Sequence, residues 1–106
     1  MPPRENLLHE VVKQELIQHP EVLGIREVAT YKEEVPYTNG RRVLGQVDIV
    51  FWDLYGKAYA VEVTTGKTQK AKRRLQRQVR NAKKHFRKVI AIGVVNSKEG
   101  LEIFRV

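Results

Sequence analysis

The chain has 106 residues, of which 42% are hydrophobic, and it contains no cysteine. This length suits a single domain spanning residues 1–106, and the lack of cysteine excludes disulfides and thiolate metal sites. The net charge of +8 is concentrated in residues 67–88, which hold eleven Lys or Arg and no Asp or Glu, and such a basic segment favours a polyanionic partner such as nucleic acid.

The N-terminal half of the sequence predicts a helix followed by three strands. Apolar residues recur at helical spacing within residues 4–18. They form one stripe: Leu7, Leu8, Val11, Val12 and Leu16. Pro20 ends this helix, since the residue before a proline is disfavoured in helical conformation. An irregular strand over 24–36, a turn at Asn39-Gly40 and two strands over 44–52 and 58–64 follow.

The C-terminal half predicts a second helix over 68–87, a buried strand over 88–95 and a short closing strand over 101–106. The buried strand is indicated by its run of β-branched residues. The resulting order, α-β-β-β-α-β-β, predicts one α/β domain with a mixed sheet.

Two carboxylates interrupt the apolar strands of the central hairpin. The turn Leu54-Tyr55-Gly56 has Gly at the last, left-handed position of a three-residue loop. In that register residues whose numbers sum to 110 face each other, so Asp48 lies opposite Glu62 with Cβ atoms about 5 Å apart. Two ionised carboxylates this close repel, so either one holds a proton or a cation lies between them.

The nature of that cation has two interpretations. A hard divalent ion such as Mg²⁺ commonly binds one or two carboxylates together with water and substrate phosphates. The alternative is that each acid pairs with a Lys or Arg. Asp53, at the start of the turn, is interpreted as a turn residue and not as a ligand. His9 and His19 lack a spaced partner that would indicate a metal site.

The same residues resemble the core of the PD-(D/E)XK nuclease superfamily, whose restriction-endonuclease-like fold includes archaeal Holliday junction resolvases and RecB-like nucleases. The resemblance is carried by Gly45-Gln46-Val47-Asp48-Ile49-Val50, by Glu62-Val63-Thr64 and by the order of helices and strands. It covers most of the chain. It implies a single restriction-endonuclease-like domain and a metal-dependent endonuclease that hydrolyses DNA phosphodiester bonds.

The resemblance also implies roles for individual residues. Asp48 and Glu62 would bind Mg²⁺ or Mn²⁺ together with the backbone carbonyl of Val63. The superfamily's catalytic Lys is replaced by Thr64, which cannot supply positive charge at neutral pH. Either Lys67, Lys70 or Lys72 takes over that role, or the domain is a catalytically inactive nucleic-acid-binding module on a nuclease-like fold.

Two further residues are implied by the resemblance. Glu10 in the first helix corresponds to an additional acid, with Glu5 and Glu15 as rivals, and a solvated helix glutamate is the alternative for each. Gln78 corresponds to a Gln near the active site of RecB-like members, with Gln76 as the other candidate and a surface hydrogen-bonding residue as the alternative.

The second helix has one narrow apolar face, which predicts packing on the sheet. Its remaining surface lacks the interspersed Glu that a solvated helix normally carries. We therefore expect it to bind nucleic-acid phosphates. The expected contacts are Lys70, Lys72, Arg73, Arg74, Arg77, Arg80, Lys83 and Lys84. His85 is expected on the surface or at a phosphate.

DNA is the expected partner, although the sequence does not separate DNA from RNA. A homodimer would suit an enzyme that cuts two strands. The apolar face of the second helix is too small for membrane binding. Because no apolar run reaches about 18 residues and the N-terminus lacks a signal-peptide stretch, we expect a soluble cytoplasmic protein.

Overall fold

The computed structural model describes residues 4–66, 68–86, 89–97 and 100–106. They form two helices, a short 3-10 helix and five strands. The bounds are α1 Arg4–Gln18, the 3-10 helix Pro20–Leu23, β1 Val28–Asn39, β2 Arg42–Asp53, β3 Ala58–Thr64, α2 Gln69–His85, β4 Val89–Ser97 and β5 Gly100–Arg105. The α/β class and the predicted element order are confirmed.

The five strands make one mixed sheet in the order β1-β2-β3-β4-β5. Only β3 and β4 are parallel, and α2 is the connection between them. All other neighbours are antiparallel. Neither described helix is long and apolar enough to cross a membrane.

Helix α1 covers one face of the sheet and α2 covers the other. Val12 and Leu16 of α1 pack with Phe51 and Val61 in the largest core cluster. On the opposite side the predicted apolar face of α2 is buried, and its residues enter two smaller clusters through Leu75, Val79 and Ala82. The sheet is therefore a central layer with one helix on each face.

The predicted stripe of α1 is only partly correct. Val12 and Leu16 are buried, whereas Leu7, Leu8 and Val11 are exposed. The positions that turn toward the rest of the protein also include Lys13, which is 1% exposed. The buried face of α1 thus contains a polar residue that an apolar pattern does not detect.

The β2–β3 turn follows the sequence prediction. Gly56 has a φ of +79°, the left-handed conformation that the last loop position needs. Asp53 acts as the predicted turn residue, because its Oδ1 accepts the N–H groups of Tyr55 and Lys57 at 2.9 and 2.8 Å. The four β2–β3 pairs, from Ile49↔Val61 to Trp52↔Ala58, have numbers that sum to 110 and confirm the register.

Candidate metal and nucleic-acid site

Asp48 and Glu62 meet where the regular pairing of β2 and β3 ends. The last regular pair is Ile49↔Val61, one position before the two acids. There the Glu62 Oε1 atom accepts the Asp48 N–H at 2.8 Å, and the Asp48 Oδ2 atom accepts the Val63 N–H at 2.7 Å. Each carboxylate therefore accepts a hydrogen bond from the backbone of the opposite strand.

Glu62 is the more deeply buried of the two acids. It is 3% exposed, and burial, followed by the charge of Asp48, raises its pKa to about 8. The charge of Glu62 also acts on Tyr37 in β1. The pKa of Tyr37 is raised mainly by burial and to a lesser extent by that charge. Among the described residues neither Asp48 nor Glu62 is ion-paired with a Lys or Arg, so the alternative of two separate basic partners finds no support.

His9 from α1 completes the contacts of Asp48. Its Nε2 atom lies 3.3 Å from Asp48 Oδ2 and 3.2 Å from the carbonyl oxygen of Val63. The hydrogen bond to Asp48 raises the pKa of His9 against the opposing effect of burial. The ring nitrogen, the carboxylate and the carbonyl thus converge on one point, although the sequence analysis assigned His9 no site role.

Spacing alone could not identify His9, because its partners lie 39 and 54 residues away. The available signal was its position on α1. His9 precedes Val12, Lys13 and Leu16 by three, four and seven residues, which places all four on one helical face. That face is turned inward in the structure, and a His on it can reach the sheet.

Glu10 is not brought to the acids. Its carboxylate binds the Nζ atom of Lys13 at 3.1 Å, and Lys13 also lies 3.4 Å from Glu33 and 3.7 Å from Glu34. Burial opposes the charge of Lys13, but the bond to Glu10 and the charges of these acids raise its pKa overall. No described contact joins Glu10 to Asp48 or Glu62. The α1 residue that contacts Asp48 is the neighbouring His9.

An open cavity of about 530 Å³ lies between the end of β3 and the first turn of α2. It is lined by Thr64, Thr65, Gly66, Thr68, Lys70, Ala71 and Arg74. Thr64 Oγ1 accepts the Gly66 N–H at 3.2 Å, and Thr68 Oγ1 caps α2 by accepting the Ala71 N–H at 3.1 Å. The predicted Lys67 lies outside the described residues.

The predicted nucleic-acid contacts on α2 divide into two groups. Six are exposed and have no ion pair among the residues that the structure describes. We call them the basic stripe: Lys70, Arg73, Arg74, Arg77, Arg80 and Lys84. The other two have partners, since Lys72 lies 3.4 Å from Glu102 and Lys83 donates to the carbonyl of Val89 at 2.6 Å.

The two glutamines of α2 stay on the surface. Gln76 and Gln78 are both exposed, and no described contact joins either to Asp48 or Glu62. His85 is exposed as well and stacks on Tyr37, with ring centroids 4.8 Å apart.

Comparison with known proteins returns no match to a family model, to a curated protein or to a solved structure. The functional interpretation therefore depends on the geometry of this chain. Within the described ranges, no three His, Cys, Asp or Glu side chains are grouped as a metal-binding set. A metal here would need backbone, water or substrate oxygens in addition to its side-chain ligands.

Proposed function

We propose that this protein is a metal-dependent endonuclease that hydrolyses DNA phosphodiester bonds. The observation that carries the proposal is the pairing of Asp48 and Glu62 across β2 and β3. Two residues beyond Glu62, Thr64 lines a cavity together with Lys70 and Arg74. The resemblance of these strands to the PD-(D/E)XK nucleases agrees with this chemistry. DNA is the proposed substrate, and RNA is tested beside it.

The donor atoms at Asp48 fit a divalent cation. Asp48 Oδ2 and the Val63 carbonyl are both within about 3.3 Å of His9 Nε2, so two oxygens and one nitrogen surround a small space. Oxygen ligands suit both Mg²⁺ and Mn²⁺. An imidazole nitrogen is a poorer ligand for Mg²⁺ than for Mn²⁺, because Mg²⁺ is the harder of the two ions. Glu62 is close enough for the charge of Asp48 to raise its pKa, and a bound cation would remove that repulsion.

When bound at Asp48, Glu62 and Val63, a metal would lower the pKa of an attacking water and stabilise the leaving oxygen. The chain's own residues would orient the substrate. The cavity beside Thr64 can admit a phosphate, because the N-terminus of α2 and the side chains of Lys70 and Arg74 attract anions there. Lys70 and Arg74 would supply the positive charge that Thr64 lacks.

A second candidate function is a nucleic-acid-binding module without cleavage. It is favoured by Thr64, whose hydroxyl is used locally to bind the Gly66 N–H. With this residue in place of the superfamily's Lys, the site contains the two acids without a cation at the usual position. The basic stripe would still bind a phosphate backbone, in a manner that weakens with salt.

A cleavage assay separates the two functions. Duplex, branched and single-stranded DNA, and RNA of the same sequence, would be incubated with Mg²⁺, Mn²⁺ or EDTA. A nuclease should cut DNA only with metal, and Asp48→Asn and Glu62→Gln should abolish cutting while Glu10→Gln retains it. Salt-sensitive binding with no cutting by the wild type in either metal would reject the nuclease and support the binding module.

A further inference from the structure

The hairpin formed by β1 and β2 extends beyond the rest of the sheet. β1 and β2 pair as far as Asn39↔Arg42, whereas β3 pairs with β2 only from Ile49 to Trp52. Residues 35–47 therefore form a two-stranded extension, which we call the hairpin arm. Its base, with Val35 and Val47, packs in a core cluster with α2, and its tip extends beyond β3. Gly40, with a φ of +62°, occupies the first central position of its two-residue turn.

The hairpin arm begins at the acids and is anchored on α2. Val47 is adjacent to Asp48 in the chain, so Arg42 lies within about 20 Å of the candidate site. The ring of Tyr37 stacks on His85 at 4.8 Å and meets Phe86 edge-on at 6.0 Å. Gly45 makes this packing possible, because a Cβ there would lie 2.5 Å from the Tyr37 hydroxyl oxygen. The arm is thus held against the C-terminal turn of α2.

The charge of the hairpin arm complements a phosphate backbone. Residues 35–47 contain no Asp or Glu, and their tip carries Arg41 and Arg42. Both arginines are exposed and neither is ion-paired within the described part of the chain. The acids that precede the arm, Glu33 and Glu34, lie near Lys13 instead.

We propose that the hairpin arm is a second nucleic-acid contact, which binds the backbone of a duplex beside the segment held by the basic stripe. This inference rests on the nucleic-acid binding proposed above and does not depend on cleavage. The stripe spans about 21 Å of helix, and the arm adds at most about 13 Å beyond Tyr37. Because the arm meets α2 at its C-terminal turn, the two together reach at most about one turn of duplex, which is roughly 34 Å.

The side chains at the tip favour a duplex over a single strand. Single-strand sites combine positive charge with aromatic platforms on which bases stack. Residues 39–44 offer arginines and the exposed aliphatic side chains of Val43 and Leu44, with no aromatic ring. A two-stranded β-ribbon also has dimensions that the major groove, about 12 Å wide, can accept.

The test compares two double variants with equal changes in charge. The arm variant combines Arg41→Gln with Arg42→Gln. The control variant combines Arg26→Gln with Lys57→Gln, which lie near the opposite end of β2. The hydrogen bond from the Leu54 N–H to the Glu27 carbonyl joins the chain segments of these two residues there. All four side chains are exposed. Binding to labelled duplexes would be followed by fluorescence anisotropy in EDTA, so that cleavage plays no part, and thermal melting would verify that each variant is folded.

The arm variant should bind a duplex of about 20 base pairs roughly tenfold more weakly than the wild type, and its salt dependence should fall by about two phosphate contacts. The control variant should stay within about twofold. On a duplex of about six base pairs, too short to reach the arm, the arm variant should match the wild type.

Three results would overturn the inference. In the first, the arm and control variants lose affinity equally. In the second, the arm variant keeps full affinity while the double variant Arg73→Gln with Arg77→Gln loses it. In the third, single strands bind more tightly than duplexes, and their binding is weakened equally by the arm variant. The second result would leave the proposed function intact. A wild type that binds no nucleic acid would instead reject the proposed function together with the inference.

Discussion

Glu62 accepts the main-chain N–H of Asp48 at 2.8 Å, while Asp48 accepts the N–H of Val63 at 2.7 Å. Each acid thus accepts a hydrogen bond from the backbone of the other acid's strand, and the two carboxylates are close together. This arrangement is unfavourable for two ionised carboxylates, because they lie close together and Glu62 is buried. The protein must therefore neutralise one charge by a proton or by a cation.

Stability should consequently decline as the pH rises. Glu62 has a pKa of about 8 in the folded chain, against about 4.3 in an unfolded one. The folded state therefore binds the Glu62 proton more tightly than the unfolded state, and this proton stabilises the fold. The stabilisation is complete below about pH 4 and is lost as the pH rises through about 8. Urea unfolding should show a loss of roughly 3 kcal/mol between about pH 5 and pH 8.

The variant Glu62→Gln isolates this effect. Between about pH 5 and pH 8 it should lose much less stability than the wild type, because only the raised pKa of His9 still links folding to pH in that range. Glu15→Gln, which changes an exposed residue of α1, should keep the pH dependence of the wild type. Parallel profiles for the wild type and Glu62→Gln would show that Glu62 titrates normally.

His9 should contribute to metal affinity. Its Nε2 atom is 3.3 Å from Asp48 Oδ2 and 3.2 Å from the Val63 carbonyl, and a bound cation would replace the proton between these atoms. His9→Gln should weaken Mn²⁺ binding by about tenfold and Mg²⁺ binding less, since imidazole suits Mn²⁺ better. Calorimetry with the exposed His19→Gln as control measures this, and equal Mn²⁺ affinity in both variants would exclude His9 as a ligand.

Lys13 should stabilise the fold by packing more than by charge. Its side chain is 1% exposed, whereas Glu10 and Glu34 are about half or more exposed and can be rehydrated. Lys13→Met should cost less than about 1.5 kcal/mol, and Lys13→Ala about 2–4 kcal/mol. Equal losses in urea unfolding would show that the ion pairs determine its contribution.

The two adjacent cations Lys72 and Arg73 provide a matched test of the basic stripe. Lys72 lies 3.4 Å from Glu102, while Arg73 is exposed without an ion pair among the described residues. Arg73→Gln should weaken duplex binding several-fold and lower the salt slope by about one. Lys72→Gln, with the same change in charge, should bind nearly as the wild type does. The opposite order in a binding titration would contradict the division of α2 into the two groups.

Much of the fold could be predicted from local chemistry. Gly56 determines a turn whose register brings Asp48 opposite Glu62, and the apolar spacing of α2 identifies its buried face. The inward face of α1 could not be predicted in the same way, because it mixes Val12 and Leu16 with His9 and Lys13 while Leu7 and Val11 remain exposed. Polar residues on a buried face have partners in distant strands, and spacing along the chain does not reveal them.

The contacts of individual Lys and Arg side chains on α2 could not be predicted from the sequence either. Lys72 and Lys83 are basic residues of the same helix as the basic stripe. In the structure, however, Lys72 is ion-paired with Glu102 and Lys83 donates a hydrogen bond to the Val89 carbonyl. These contacts depend on where β4 and β5 lie against α2. The hairpin arm likewise follows from β1 and β2 being longer than β3, which turn signals alone do not establish.

The most direct test of the metal site is a crystal structure of the protein grown with Mn²⁺, with the metal located by anomalous scattering. We expect one Mn²⁺ ion bound by Asp48, Glu62, the Val63 carbonyl and the neutral ring of His9, at distances slightly longer than the roughly 2.0–2.1 Å typical of Mg²⁺. The same structure would show which basic side chain approaches Thr64. An anomalous map without a peak between Asp48 and Glu62, from crystals in which both side chains are well ordered, would contradict the proposed metal site.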